Sequence, residues 1–182
     1  MERLSTGFTV VDRRLEGGLP DDGLISIYSP AGVAMRRRLL CCIAEANSSV
    51  FVDCASNSMV PKSTPRLSVV DALDGLTSAL KYKARVVVID PVVFEQEQND
   101  SRFRKIELLM ELCRSSDRTV VLGWTNDRMP IRARYDSTLI IRLPNEQISS
   151  LIIQKNKHGP SDEQEIRHDV SPRLNRFDML DD

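Results

Sequence analysis

LISIYSPAGVAMRRRLL, residues 24–40, decides how the rest of the chain is read. LISIY (24–28) is apolar and rich in β-branched residues, which predicts a buried strand. A short turn with Gly32 follows, then a helix over 34–46 with Met35, Leu39, Leu40, Ile43 and Ala46 near one face. Buried strand, glycine turn and helix is the layout of a phosphate-binding loop. Such a loop needs Gly-x-x-x-x-Gly-Lys-Ser/Thr, because the glycines let backbone N–H groups wrap the phosphates, the lysine neutralises their oxygens and the hydroxyl binds magnesium. In that register Ser29 and Ala34 replace the two glycines, Met35 replaces the lysine and Arg36 replaces the Ser/Thr; Gly32 remains.

The 182 residues suggest one domain, long enough to bury a core without metal or disulfide help. A hydrophobic fraction of 41% and a charged fraction of 28% are ordinary for a soluble globular protein. With 25 Lys and Arg against 26 Asp and Glu, the net charge of −1 demands neither nucleic acid nor membrane as a partner. Cys41, Cys42, Cys54 and Cys113 form no C-x-x-C pair, so no zinc site is expected and they read as buried free thiols of a reducing cytoplasm. No apolar run approaches the ~20 residues that span a bilayer. The expected location is cytoplasmic, or nuclear in a eukaryote.

Outward from the opening stretch, TVVDRRLE (9–16) predicts an amphipathic helix ended by Gly17-Gly18. SVFVD (49–53) is a second strand, 55–66 a Pro-punctuated loop, and LSVVD (67–71) a short strand followed by a helix to about residue 82. RVVVID (85–90) is apolar on both faces, as a central parallel strand should be. A helix over 101–115, capped by Asp100 or Ser101, presents Phe103, Ile106, Met110 and Cys113 as its buried stripe. TVVLGW (119–124) is another strand, and 137–143 and 148–156 sit around PNEQ like a hairpin. Residues 157–182 are polar, with edge-strand character near EIRHDV. Strands alternating with helices, then a hairpin, predict a three-layer α/β domain over 1–170: a central parallel sheet with antiparallel strands at the C-terminal edge, then a polar, acidic tail over 171–182.

LSTGFTVVDRRLEGGLPDDGLISIYSPAG resembles the opening of RecA-superfamily ATPase cores, especially the archaeal RadA/RadB recombinases and KaiC-like proteins. The resemblance continues to RVVVID as Walker B, to WTND as the sensor strand and to the closing hairpin, and so covers most of the chain. It implies a RecA-like P-loop fold. It also implies a water-orienting glutamate after the second strand, where Asp53-Cys54-Ala55 offers alanine, and a Thr-Asn-Gln sensor, where Thr125-Asn126-Asp127 departs at its last residue. Asp90, the Walker B position, survives. With the lysine, the magnesium hydroxyl and the base all replaced, the expectation is a pseudo-ATPase with no catalytic residue, cofactor or metal.

The resemblance then points to an accessory of DNA recombination or repair. Its partners would be a RecA-family recombinase or another ATP-competent paralogue, in a hetero- or homo-oligomer, with single-stranded DNA as a second ligand and no membrane. The chain starts at the core, without the helical extension that family recombinases carry, which is consistent with that role. A KaiC-like scaffold that does not bind DNA is the alternative, and a nucleotide sensor using Asp90 and backbone amides a third. Three surface features are the candidates for contact. Arg36, Arg37 and Arg38 open the helix after the loop and would meet a partner. Arg128, Arg132, Arg134 and Tyr135, in the loop NDRMPIRARYD, would meet phosphates and a base. Phe177 and Leu180, in the tail, would dock on a neighbour. Glu95, Glu97 and Asp100 in the loop after Walker B oppose DNA there. His158 and His168 have no partner at ligand spacing and read as surface residues.

Overall fold

The computed structural model describes residues 2–95, 99–126 and 128–162. The tail with Phe177 and Leu180, His168, the EIRHDV stretch, Glu97 and Asp127 lie outside the described residues. The chain runs β1 (Arg3–Leu4), α1 (Thr9–Arg14), β2 (Leu19–Pro20), β3 (Leu24–Ser29), α2 (Ala34–Ala46), β4 (Ser49–Asp53), β5 (Arg66–Ser68), α3 (Ala72–Ala79), β6 (Val86–Asp90), α4 (Asn99–Ser115), β7 (Thr119–Thr125), α5 (Ile131–Asp136), β8 (Leu139–Arg142), a 3₁₀ turn (Ile148–Ser150) and β9 (Ile152–Asn156).

Seven strands form one sheet in the order β5-β4-β6-β7-β3-β8-β9. All neighbours are parallel except β8 and β9, which pair antiparallel at the edge. β1 and β2 make a separate two-stranded ribbon. The fold is therefore the expected three-layer α/β domain. Strand alternation divides the core. Ile25, Ile27, Phe51, Val86, Val88 and Val121 face α1 and α2, while Val50, Val52, Val87, Ile89, Val120 and Leu122 face α3, α4 and α5. Both faces of β3, β4 and β6 are covered, which is why these strands are continuously apolar rather than alternating.

Several local expectations are corrected. α4 begins at Asn99, so Asp100 and Ser101 lie inside its first turn rather than at its cap. Its buried face is Ile106, Leu109, Met110 and Cys113, whereas Phe103 is 71% exposed. In α2, Ala44 is buried and Ala46 is exposed. The 126–136 loop contains the short helix α5, begun after Pro130, where the fixed φ of proline suits a helix start. The second hairpin strand starts at Ile152, because the chain first makes the 3₁₀ turn.

Asp71 holds the α3–α4 side together. It caps α3, accepting from the N–H groups of Leu73 (2.9 Å) and Asp74 (3.4 Å), and it also accepts from Lys105 Nζ (2.7 Å) and Glu95 N–H (3.2 Å). Asp71→Ala removes a cap and an ion pair together and should cost about 2–3 kcal/mol, read as a lower urea midpoint with an unchanged m value.

Candidate functional site

Parallel strands bring their C-terminal ends to one rim, and there the chain diverges. From β3 it crosses by α2 over β7 and β6 to β4; from β7 it passes by α5 to β8, on the other flank of β3. Open α/β sheets place ligands at such a divergence. At this rim stand Ser29, Asp53, Asp90 and Thr125, with Ser29 beside Thr125 and Asp53 beside Asp90 in register.

Two carboxylates on adjacent strand ends, 0% and 1% exposed, would repel each other strongly without counter-charge. Arg36 and Arg37, from the first turn of α2, supply it. Arg36 Nε donates to Asp90 Oδ1 (2.9 Å), and its Nη1 donates to the Trp124 carbonyl (2.9 Å) and Ser29 Oγ (3.3 Å). Arg37 Nη1 donates to Asp90 Oδ2 (3.1 Å) and to the Asp90 carbonyl (2.7 Å). Its Nη2 lies 3.0 Å from Asp53 Oδ1, an ion pair outside hydrogen-bond angle, and its Nε donates to the Met59 carbonyl (2.8 Å). The guanidinium stacks over Phe51 at 4.7 Å. Arg66, from β5, closes the network on Asp53 Oδ2. The close approach depends on Gly123, where a Cβ would lie 2.1 Å from Asp90 Oδ1 and 2.7 Å from Leu40 Cδ1.

The expectation that Arg36 and Arg37 form a surface patch is therefore corrected. They are 9% and 4% exposed and turned into the rim; Arg38 alone of the three faces solvent. Their physical reason is the pair of buried carboxylates at the ends of β4 and β6. Ala34 is exposed and Met35 buried against the α1–α2 core. Gly32, at φ +82°, sits in a tight turn closed by Val33 N–H to the Pro30 carbonyl (3.3 Å). The free N–H groups of Ala34 and Met35 donate to Glu146 Oε1 (2.6 Å) and Oε2 (2.8 Å). Glu146 had no place in the sequence reading, because 111 residues separate it from Met35 and no local pattern joins them.

Burial works to raise the Asp53 carboxyl, but the Ala55 N–H, the Arg37 charge beside it and the hydrogen bond from Arg66 outweigh it, so the group lies below its ordinary 3.8. Burial pushes the Cys41 thiol up to about 11 and those of Cys54 and Cys113 to about 12, which keeps them protonated and unreactive. Among the described residues no three His, Cys, Asp or Glu side chains are grouped to hold a metal ion.

The arginine segment is divided. Arg132 is paired to Asp136 (2.6 Å) and Glu107 (3.1 Å). Arg134 lies 5.7 Å from the Tyr28 ring, while Arg128, Arg134 and Tyr135 face solvent. His158 is partly buried, 3.5 Å from Asp22.

Fold and rim together define a three-layer α/β domain whose parallel strand ends and α2 N-terminus meet at one charged rim. Among solved structures, the chain is similar to the crystal structure of the RadB recombinase, with a TM-score of 0.63 and 17% identity over 87% of this chain and 92% of that one. At that identity the likeness is one of fold. No protein-family model matches the sequence, and no curated protein matches it. No helix among the described residues is long and apolar enough to cross a membrane.

Two outcomes follow for the ion network. Arg37→Met leaves Asp90 with Arg36 alone and Asp53 with Arg66 alone and should cost about 3–5 kcal/mol, part of which returns when Asp53→Asn is added, as a double-mutant cycle by chemical denaturation will read. Asp53 titrates lower folded than unfolded, so its stabilisation is complete above pH 3.8 and is lost as the pH falls through the folded-state value. The thermal midpoint should decline below about pH 4, and less steeply in Asp53→Asn.

Proposed function

We propose that this protein is a non-catalytic RecA-fold paralogue, a pseudo-ATPase that acts as an accessory in DNA recombination or repair by binding an ATP-competent recombinase. One observation carries the non-catalytic reading. Arg36, at the position where a phosphate loop has its magnesium-binding hydroxyl, reaches Asp90, the carboxylate at the Walker B position. Arg37 takes the other oxygen of the same carboxylate. Asp90 is thus committed to two internal cations and is not free to hold a metal-bound water. Met35 offers no charge where a lysine would neutralise phosphate, and Ala55 offers no base. Removing these groups together forfeits the electrostatic stabilisation that drives phosphoryl transfer. The recombination part of the reading is supported by the likeness of fold to the RadB recombinase.

A second reading, a scaffold of KaiC-like type that assembles with an ATP-competent partner and leaves DNA alone, gains from one observation. Arg132 is held in two internal ion pairs, which takes one cation out of the proposed DNA contact. The two readings part in a single-strand binding titration. In the recombination reading Arg128→Ala and Arg134→Ala weaken salt-sensitive binding, each lowering the salt slope by about 0.7. In the scaffold reading no shift occurs at any salt.

The nucleotide frame is tested by thermal stability in Mg-ATP. No rise in midpoint at millimolar nucleotide is expected, whereas a saturable rise would revive the nucleotide-sensor reading, since a ligand of the folded state alone must stabilise it. The accessory role is tested by capture of the tagged protein from its own cells, with and without nuclease. A RecA-family recombinase should be recovered in both; recovery only of an unrelated ATPase would sink the recombination reading.

A further inference from the structure

The first turn of α2 leaves backbone N–H groups pointing past the end of β3, and a helix N-terminus carries positive potential that favours an anion. In this chain the anion is supplied internally. Both oxygens of Glu146 are used, one on Ala34 N–H and one on Met35 N–H. Valine at the cap position, Val33, has no side-chain acceptor of its own, so the helix depends on a remote group. The turn that carries Glu146 is itself fixed, because Asn145 Oδ1 accepts from Gln147 N–H (2.8 Å) and from Ser150 Oγ (2.6 Å). Behind this turn Ile148 packs on the same core as Met35, and Leu143 and Leu151 on either side of it belong to that core.

We propose that Glu146 is an autoinhibitory contact: the β8–β9 turn is a strap whose carboxylate takes the place of a phosphate on the Ala34 and Met35 amides and keeps external anions out. The inference rests on the reading of the rim as a nucleotide frame that no longer takes nucleotide, and it assigns the exclusion to a residue outside the loop-and-helix stretch. Arg36 and Arg37 close the metal side of the frame and Glu146 closes the phosphate side. The carboxylate also does what bound phosphate does mechanically, since it ties the start of α2 to the far flank of the sheet. Glu146 is exposed, so the contact exchanges with water more readily than the buried arginine network and is the part of the frame that a single substitution opens.

The test uses the full chain as wild type, Glu146→Ala and Glu146→Gln. Amide hydrogen exchange at Ala34 and Met35 is followed by NMR, and thermal midpoints are compared in inorganic phosphate and in sodium chloride at matched ionic strength. The wild type should protect both amides and show no phosphate-specific shift. Glu146→Ala should exchange at least about tenfold faster at these two positions only, the factor that corresponds to about 1.4 kcal/mol of lost protection, and should gain a phosphate-specific rise in midpoint. Glu146→Gln, which keeps one neutral acceptor, should fall between. Equal exchange in all three proteins, or equal phosphate responses, would overturn the proposal. Neither readout depends on a recombinase partner, so failure of the accessory role and failure of the strap are told apart.

Discussion

Two buried carboxylates at the ends of neighbouring strands repel each other unless cations are brought to them. Asp53 and Asp90 stand side by side in register, both buried, and α2 answers with two consecutive arginines turned inward. Much else follows from that constraint. Gly123 must lack a side chain so that Asp90 fits. β5 carries Arg66 to the outer oxygen of Asp53. The segment after β4 is held down through the Met59 carbonyl, and β7 is tied in through the Trp124 carbonyl. One network of five charged side chains therefore connects α2, β4, β5 and β6, and through the backbone β7. Buried ion pairs of this kind are weak net stabilisers against an apolar alternative, yet breaking one is costly, so they fix an arrangement more than they deepen a well.

In a phosphate-binding protein the same connections run through the ligand: the loop holds the phosphates, the metal bridges to an acidic strand end, and the helix start is neutralised by bound anion. In this chain every link is made by a side chain. The guanidinium of Arg36 meets the strand-end carboxylate, and the carboxylate of Glu146 meets the helix amides. The charges of the rim are balanced within the chain. That gives a physical reason for this domain to keep its rim geometry, because the sheet divergence and the α2 start need their charges balanced.

Much of the fold was legible in the sequence. RVVVID and LISIY are apolar on both faces and could only be interior strands, and α2 ends where its periodic pattern ends, at Ala46. Face assignment failed where tertiary packing overrode local pattern, as at Phe103, whose helical spacing matched the buried stripe while its place on α4 left it facing solvent. The site was half legible. The residues at the loop positions, Ser29, Ala34, Met35 and Arg36, could be read one by one. The inward turn of Arg36 and Arg37 could not, because a run of three arginines looks like a solvated face until Asp53 and Asp90 are seen side by side. An inward reading had one available signal: two strands that each end in aspartate, beside a helix that opens with arginine. Glu146 had none, since its partners are backbone amides that carry no sequence mark.

The measurement that bears most directly on the central claim is NMR of the arginine side-chain Nε–H groups in the full chain, recorded alone and with Mg-ATP. Arg36 and Arg37 should give resolved, slowly exchanging Nε–H signals that stay in place when nucleotide is added, while Arg38 exchanges with water. Fast exchange at Arg36 and Arg37, or their displacement by Mg-ATP, would show an open rim that still takes nucleotide and would contradict a self-neutralised frame.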